Sequence, residues 1–379
     1  MLKSISLQNF RSYEKQEFSF GNTTLIVGPN TSGKTNLIEG IYLLSNGKSF
    51  RTDKDIQMIR FGKEIGRVKA RLQTPEPARQ SPDGSIQMAD GRSDGGQGII
   101  EDNELEIVIT NGLVNGKSQY KKFLVNGVAK RRVDFASNFS AVLFSPQDLD
   151  IIIDSPSLRR SFLDEVLEQT DRSYRVSLIS YTKALRQRNA LLELLREGKT
   201  LPAGRRELEY WDNLVIENGG IIILKREEFI KFANSQNKDI FDFTINYDKS
   251  VISRERLLQY EAQEVLAGVT LVGPHRDDFS VFMSNGKNTS HDVKYFGSRG
   301  QQRLVILQLK VLELLFIEKA LGKRPTLILD DIFSELDSGH INLIFDQIGK
   351  QQTILTTTHE EFIPKKLLNK MKVLHFSKE

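Results

Sequence analysis

The 379-residue sequence contains no cysteine, so a disulfide framework and a thiolate metal site are both excluded. It also lacks a long apolar segment: runs such as Ile151–Ile153 have the length of a strand, whereas a membrane span needs about 20 residues. The N-terminus alternates apolar and polar residues and has no apolar signal core. These absences suit a reducing environment and predict a cytoplasmic protein that makes no membrane contact.

Strong net charge is absent as well, since 53 Lys and Arg residues face 49 Asp and Glu residues. A hydrophobic content of 39% is that of a soluble protein with a sizeable core, and the length allows two or three domains. The basic residues are unevenly spread: Lys117–Arg132 and Arg172–Arg196 each contain six. Such stripes suit binding to a phosphate backbone, but a solvated helix face or strand edge explains each equally well.

A phosphate-binding loop is the most specific feature of the sequence. Residues 28–35 read G-P-N-T-S-G-K-T, between an apolar run, Thr24–Val27, that predicts a buried strand and an amphipathic pattern that predicts a helix over Lys34–Leu44. Glycines let backbone N–H groups face phosphate oxygens, while the lysine reaches the β- and γ-phosphates and Thr35 binds Mg²⁺. The predicted nucleotide-binding residues are Gly28, Pro29, Asn30, Thr31, Ser32, Gly33, Lys34, Thr35 and Asn36.

A second apolar run, Thr326–Leu329, predicts a buried strand that ends in two carboxylates. Mg²⁺ requires hard oxygen ligands, so Asp330 is a candidate metal ligand, and Asp331 is placed to orient or deprotonate an attacking water. Alone, this pair of aspartates is more typical of a turn or a helix cap. The phosphate-binding loop in the same chain favours the metal role.

Three further sites carry polar groups at the ends of predicted elements. Ser298 precedes a predicted helix over Gly300–Leu321 and suits its N-cap, so a well-capped helix is the plain interpretation. His359 follows the apolar strand Thr353–Leu355, and Gln147 follows the buried strand Ala141–Phe144. A lone histidine is usually structural, but here it is expected at the phosphate edge of the sheet.

Together with the remaining segments, these patterns predict three domains. The alternating pattern predicts antiparallel strands over Leu2–Gln8 and Gln16–Phe20, and two long helices over Arg172–Arg196 and Glu207–Asn234 form a short arm. The domains are residues 1–153, with a polar surface loop at about 72–103, a mainly helical arm at 154–264, and residues 265–379.

The ordered set of motifs closely resembles the RecF family, a bacterial branch of the SMC-like ABC ATPases. Arg299 replaces the second residue of the usual L-S-G-G-Q signature, and Asp331 stands where transporters have a catalytic glutamate. Family blocks are N-F-R-S-Y at 9–13, G-K-S-F-R-T at 47–52, F-S-P-Q-D-L at 144–149, S-P-S-L-R-R-S-F-L-D at 155–164 and G-P-H-R-D-D at 273–278. The resemblance implies an α/β fold: an ABC/SMC-type ATPase head assembled from N- and C-terminal segments, with an inserted helical arm.

The resemblance also implies a role for each matching position. The signature, Ser298, Arg299, Gly300 and Gln301, contacts the γ-phosphate of ATP held by a second subunit, and Asp337 lies in the loop that couples the subunits. His359 resembles a switch histidine, Gln147 a glutamine that touches Mg²⁺ and water, and Arg11 an early arginine near the nucleotide. Thr31-Ser32 departs from the usual Gly-Gln or Gly-Ser, which is expected to be harmless because backbone groups bind the phosphates.

The function implied by the resemblance is an ATP-dependent DNA clamp in recombinational repair. ATP and Mg²⁺ drive a homodimer that holds duplex DNA at single-strand gaps and promotes RecA loading with RecR and RecO, and slow, DNA-stimulated hydrolysis releases it. A transporter ATPase subunit and a partner protein with purely structural nucleotide remain alternatives. The block Gly273–Asp278 is either a functional family motif or, as its chemistry slightly favours, a turn held by an ion pair between Arg276 and a carboxylate.

Overall fold

The structure is a computed structural model that describes residues 1–73, 102–112, 120–200, 205–284, 290–332 and 348–377. Contacts between residues divide the chain into two compact units. The first comprises Met1–Phe135, Thr326–Ile328 and Ile348–Glu379, and the second Ala136–Pro325 and Leu329–Gln347. The domain boundaries predicted at 154 and 264 stay predictions, because the second unit includes residues on both sides of them.

The described residues form strands, α-helices and 3-10 helices throughout both units. The strands are β1 (Leu2–Phe10), β2 (Tyr13–Ser19), β3 (Thr23–Val27), β4 (Ile65–Gln73), β5 (Asp102–Thr110), β6 (Tyr120–Val125), β7 (Val128–Lys130), β8 (Ala141–Phe144), β9 (Thr244–Asp248), β10 (Asp278–Ser284), β11 (Ser290–Asp292), β12 (Thr326–Asp330), β13 (Thr353–Thr357) and β14 (Lys372–His375). The α-helices are α1 (Lys34–Asn46), α2 (Arg132–Phe135), α3 (Asp150–Ile153), α4 (Pro156–Thr170), α5 (Arg172–Arg196), α6 (Arg205–Ser235), α7 (Arg254–Ala267), α8 (Val293–Phe296), α9 (Arg299–Leu321) and α10 (Lys365–Leu368). The 3-10 helices are Asp55–Met58, Pro146–Leu149, Pro274–Arg276 and Glu360–Phe362.

The first unit contains an antiparallel sheet with the strand order β2-β1-β4-β5-β6-β7. The predicted pairing of the first two strands is confirmed, with Ile5 opposite Phe18, although β2 begins at Tyr13, earlier than the pattern indicated. Asn126 and Gly127, a pair typical of tight turns in sequence, both have positive φ (50° and 75°) between the paired strands β6 and β7. Such a turn matches the right-handed twist of its strands.

In a second sheet, strands of the first unit lie side by side in the order β14-β3-β13. The strand β3 pairs in parallel with both neighbours, and Val27 at its end lies opposite Thr357 of β13 and His375 of β14. Both faces are buried, which explains the apolar run Thr24–Val27. Since β3 comes from the N-terminal segment and its neighbours from the C-terminal segment, the predicted assembly from both ends of the chain is confirmed.

In the second unit, the two longest helices pack against each other. Arg188 of α5 pairs with Asp212 of α6, and Asp171, the N-cap of α5, pairs with Lys225 further along α6, so the two helices run antiparallel. The predicted helix over Arg172–Arg196 is confirmed with both bounds, and the second begins at Arg205. A three-stranded antiparallel sheet, β11-β10-β9, completes this unit. Within the described ranges, no helix has the length and apolar character that crossing a membrane requires.

The block Gly273–Asp278 has a structural role, but the predicted ion pair of Arg276 is wrong. The Arg276 guanidinium donates to the Thr270 carbonyl at 3.1 Å. The buried carboxylate of Asp277 instead pairs with Arg226 at 3.0 Å and accepts a bond from the Ser250 N–H at 2.7 Å. Sequence reasoning missed this pair because Arg226 lies about 50 residues away in α6, where nothing marks it as a partner.

Candidate nucleotide-binding site

The phosphate-binding loop of the first unit begins where β3 ends. The Gly28 N–H donates to the Thr357 carbonyl at 3.2 Å, and the Phe376 N–H donates to the Val27 carbonyl at 2.7 Å, so both neighbouring strands fix the loop's entry. A Cβ atom on Gly28 would lie 2.7 Å from the Phe376 carbonyl oxygen. Glycine is therefore required at this position, because the neighbouring backbone leaves no space for a side chain.

Two residues of the loop have left-handed backbone conformations. Gly33, directly before α1, has φ of 95°, and a Cβ there would lie 2.8 Å from the Tyr13 hydroxyl oxygen, which itself donates to the Gly33 carbonyl. Thr31 has φ of 73°, a conformation that costs a β-branched residue about 1–2 kcal/mol. The position where the family usually has glycine is therefore strained here, and the expectation that Thr31 does not impair phosphate binding stays a prediction.

Lys34 lies inside the loop. Its side chain is buried, and Nζ donates to the carbonyl oxygens of Gly28 at 2.6 Å and Pro29 at 3.0 Å. Thr35 follows in the first turn of α1 and is half-buried. The N-terminus of this 13-residue helix carries the positive end of the helix dipole, and no acidic residue lies in its first turn. This arrangement favours an anion, as the sequence predicted.

Beside the loop, a network of side chains holds Arg11 and Asn36. Arg11 makes two bonds to the buried carboxylate of Glu39, at 2.7 and 2.5 Å, and a third to the Gln57 carbonyl at 2.7 Å. Arg51 bonds the Asn36 amide oxygen at 2.8 Å and pairs with Glu39 at 3.4 Å. Sequence reasoning missed Glu39 and Arg51; an acidic residue within the apolar helix pattern of α1 was the available signal.

Arg11 and Asn36 also line an open cleft of about 670 Å³ in the first unit. The cleft continues along Ile56–Lys63, where the Phe61 side chain is fully exposed. Aromatic and aliphatic side chains beside amide and guanidinium groups suit an aromatic base with polar edges. The cleft lies next to α1, the helix that begins at the phosphate loop.

His359 lies near the same edge of the sheet, two residues after the end of β13. Its Nδ1 atom lies 2.9 Å from the Glu361 carboxylate, and its side chain is 57% exposed. The Glu361 backbone N–H and the bond from His359 lower the pKa of that carboxyl. Sequence reasoning did not single out Glu361, although it lies in the same run of polar residues after β13 as His359.

The second unit holds the other predicted catalytic residues. Asp330 is buried at the end of β12, and Asp331 follows with φ of 51°. Gln147 is exposed within the 3-10 helix Pro146–Leu149. A small groove is lined by Pro146, by Ile332 and by Arg303 of α9, so residues next to Gln147, Asp331 and the signature helix meet there. Asp337 lies outside the described residues.

The signature residues form the N-terminus of α9. Ser298 Oγ accepts from the Gln301 N–H at 3.2 Å, and the Gln301 side chain accepts from the Ser298 N–H at 2.9 Å. The predicted N-cap is confirmed, and this reciprocal capping box explains two of the four signature residues structurally. Arg299 and Gly300 are exposed, and around Gly300 the nearest atom to an added Cβ is Ser298 Oγ at 3.9 Å. Backbone at this helix end is therefore accessible to a ligand.

The two basic stripes are partly structural. In the first unit, Lys121 pairs with Asp55, and Arg132 donates to the Asn46 carbonyl at 3.0 Å. In the second unit, Arg188 is buried and pairs with Asp212 and Glu264, both at 2.7 Å. The exposed basic residues of the stripes are Lys122, Lys130, Arg131, Arg172, Lys183, Arg186 and Arg196. Lys117 lies outside the described residues.

Comparisons with known proteins agree with these features. The family described as the RecF/RecN/SMC N terminal domain matches residues 1–377. A DNA replication and repair protein RecF from an Exiguobacterium species is 34% identical over 99% of this chain and 96% of that protein. The chain belongs to the RecF family.

Solved structures show the same fold. A structure of the recombination mediator protein RecF with ATP, in the RecFOR pathway, covers 96% of this chain with a TM-score of 0.79 and 29% sequence identity, and the match spans 93% of that protein's chain. An Smc head domain with a coiled coil and joint from Pyrococcus yayanosii is similar with a TM-score of 0.52 over all of this chain and 95% of its own, at 12% identity. The predicted ABC/SMC-type head fold is therefore confirmed.

Proposed function

We propose that the chain is an ATP-dependent DNA-binding protein of recombinational repair and replication restart. The observation that carries the proposal is the phosphate-binding loop. Neighbouring backbone requires glycine at Gly28, a positive φ and the Tyr13 side chain require it at Gly33, and Lys34 is buried at a helix N-terminus. Membership of the RecF family supports the DNA-repair role. The same membership leaves the transporter alternative without support.

ATP is the proposed ligand of the loop. The Lys34 ammonium exchanges its two carbonyl partners for the β- and γ-phosphates, and the N–H groups at the start of α1 bind the remaining oxygens. The base and ribose occupy the cleft beside Arg11 and Asn36. A structure of RecF with ATP is among those similar to this chain, which supports the choice of nucleotide.

Hydrolysis requires Mg²⁺, which neutralises the charge that develops on the phosphates. The residues proposed to hold it are Thr35, Asp330 and Gln147. Their hydroxyl, carboxylate and amide oxygens are the hard donors that Mg²⁺ prefers, and one carboxylate is typical where phosphates supply further ligands. Asp331 is the proposed base for the attacking water, and His359 assists at the γ-phosphate. We propose a slow ATPase, stimulated by DNA, that works as a switch.

A second copy of the chain completes the site in this proposal. Ser298, Arg299, Gly300 and Gln301 bind the γ-phosphate of the partner's nucleotide, and Asp337 couples the two copies. The exposed N-terminus of α9 supports this role, since Arg299 and Gly300 are accessible. The closed dimer holds duplex DNA at single-strand gaps, and the loading of RecA with RecR and RecO follows. We propose that the protein acts in the cytoplasm.

A charge placed in the signature tests the role of the second copy. Ser298→Arg is expected to leave ATP affinity unchanged and to abolish ATP-dependent dimerisation, measured by light scattering. Ser253→Arg is the matched control, because Ser253 also caps a helix of the second unit by accepting an N–H at 3.2 Å. ATP-dependent dimers of Ser298→Arg at the level of the control would contradict the proposal.

A further inference from the structure

A buried cluster of charges lies along one face of the signature helix. Lys310 of α9 is 6% exposed, and its Nζ lies 3.1 Å from the Asp148 carboxylate and 3.2 Å from the Glu313 carboxylate. The ammonium also lies over the Phe162 ring, at 5.4 Å. All these groups belong to the second unit, and Asp148 directly follows Gln147 in the chain.

Asp148 makes two kinds of contact at once. One of its oxygens pairs with Lys310, while the other accepts from the Ser145 N–H at 2.6 Å and from Ser145 Oγ at 3.2 Å. The bond from the Ser145 N–H is one half of the capping box of the 3-10 helix Pro146–Leu149. A single carboxylate therefore shapes the backbone that carries Gln147 and fixes this backbone to α9.

The same face of α9 contacts this segment at a second place. Residues 303, 306 and 310 are spaced by three and then four positions, so they share one face of the helix. Arg303 and Ile306 line the groove that Ser145, Pro146 and Leu149 line from the other side. From Lys310 the helix runs about 18 Å to Ser298, at 1.5 Å per residue. The Gln147 segment and the signature are thus held on one rigid helix.

The surrounding carboxylates favour the charged form of Lys310 despite its burial. Burial lowers the pKa of Lys310, but the carboxylates of Asp148, Glu313 and Glu165 outweigh it, so the pKa lies above the ordinary value. Burial raises the pKa of Glu313 to about 7, against the lowering effect of Lys310. The Lys310 ammonium thus faces three carboxyl groups. Of its two direct partners, Asp148 and Glu313, Asp148 is the more exposed. A buried cation of this kind holds its partner in one geometry.

We propose that the Lys310–Asp148 pair is a positioning device that couples the glutamine segment to the signature helix, so that Gln147 is aligned for hydrolysis only when α9 is in place. Lys310 and Asp148 are positioning residues, since they act through Gln147 and Ser298. This inference rests on the proposed function, because it assumes that Gln147 serves ATP hydrolysis. A purely structural ion pair makes a different prediction, namely a loss of stability with unchanged turnover.

Asp148→Asn is the sharpest variant. Asparagine still accepts from the Ser145 N–H, and Lys310 keeps its contact with Glu313, so the fold is retained while the attraction between the segment and α9 is weakened. We expect about a tenfold lower kcat for ATP hydrolysis, the range seen when a partner that orients a metal site is lost, with ATP affinity unchanged. The Mg²⁺ concentration for half-maximal hydrolysis is expected to rise. Asp150→Asn is the matched control, since it removes the same charge two residues away.

A double-mutant cycle separates coupling from simple destabilisation. Lys310→Met is expected to lower kcat as well, and the double variant Asp148→Asn/Lys310→Met no further than the worse single variant, because both remove one interaction. Lys319→Met, an exposed lysine in the same helix, controls for the substitution. Thermal melting of each variant shows whether folding is retained.

The result that overturns the inference is a kcat for Asp148→Asn within twofold of Asp150→Asn, or additive effects in the cycle. Wild type and Gln147→Ala are measured in the same assay. Suppose that wild type hydrolyses ATP, that Gln147→Ala slows hydrolysis and that Asp148→Asn does not. The coupling is then wrong, and the proposed function stands. If wild type does not hydrolyse ATP, the proposed function is wrong and the coupling fails with it.

Discussion

The loops Gly28–Thr35 and Gly273–Asp278 share several backbone features, but their polar groups differ in exposure to solvent. Each has a glycine at positive φ, 95° at Gly33 and 122° at Gly273. In each, an added Cβ would meet a tyrosine hydroxyl, at 2.8 Å in the first loop and 2.5 Å in the second. Close packing therefore demands glycine in both loops.

Their polar groups face different partners. Pro29, Asn30 and Thr31 of the first loop are exposed, and its backbone lies at the start of a 13-residue helix. In the second loop, Asp277 is fully buried, and its carboxylate contacts Arg226, Ser250 and Tyr247. The first loop is open to a ligand, while the second is closed by side chains of its own chain. The burial of polar groups distinguishes the structural loop from the loop that is open to a ligand, and this burial cannot be read from the sequence.

The largest effect is expected when Arg226, the cation that pairs with Asp277 of the second loop, is replaced. Arg226→Met leaves the carboxylate of Asp277 buried without its ion pair, so the free energy of unfolding is expected to fall by about 3–5 kcal/mol in urea denaturation. Lys231→Met in the same helix, with a 79% exposed side chain, is the control and is expected to change it by less than about 0.5 kcal/mol. Equal effects of the two variants would show that Asp277 is not held by this pair.

The second loop also predicts a pH dependence. Because the Thr270 carbonyl can only accept, His275 Nε2 carries the proton at 3.0 Å, and Nδ1 accepts from the Tyr181 hydroxyl at 2.7 Å. Burial lowers the pKa of His275 to about 4. The neutral form is favoured on folding, so its stabilisation is present above about pH 6.5 and is lost as the pH falls through 4.

Urea denaturation between pH 7.5 and pH 4 measures this contribution. The loss is expected to reach at most about 3 kcal/mol, since one pKa unit corresponds to about 1.4 kcal/mol. His275→Gln has no imidazole to protonate, so its unfolding free energy is expected to fall less over the same range. Identical pH profiles of wild type and variant would rule out a neutral, buried His275.

In the first loop, replacement of Lys34 is expected to weaken ligand binding and to leave the fold unchanged. Lys34→Ala loses charge-assisted hydrogen bonds to phosphate and is expected to weaken ATP binding about 10- to 100-fold in calorimetric titration. Lys15→Ala, an exposed lysine of β2, serves as the control and is expected to bind ATP as wild type does. Unchanged ATP affinity of Lys34→Ala would end the assignment of this loop to phosphate.

The smallest effect is expected at the strained position of the first loop. Thr31→Gly removes the cost of a positive φ and is expected to raise the free energy of unfolding by about 0.5–1 kcal/mol, after the greater entropy of the unfolded chain is allowed for. Asn126→Gly is the control, because asparagine tolerates a positive φ better. A less stable Thr31→Gly would mean that the threonine side chain contributes more than its backbone costs.

Local patterns predicted the elements well, since strands, caps and the phosphate loop depend on residues close in sequence. The bounds of α5, the cap at Ser298 and the turn at Asn126 all follow from such patterns. The pairs Arg226–Asp277 and Lys310–Asp148 were beyond reach, because each joins residues far apart in the chain through burial. The strain at Thr31 was missed because a backbone angle is not visible in the residue type alone.

Fluorescence anisotropy of labelled gapped, duplex and single-stranded DNA, with and without ATP and Mg²⁺, tests the central claim most directly. The account predicts that ATP tightens binding to duplex and gapped DNA in wild type, that rising salt weakens it, and that Lys34→Ala abolishes the ATP effect. DNA affinity that is the same with and without ATP in wild type would contradict an ATP-switched DNA clamp.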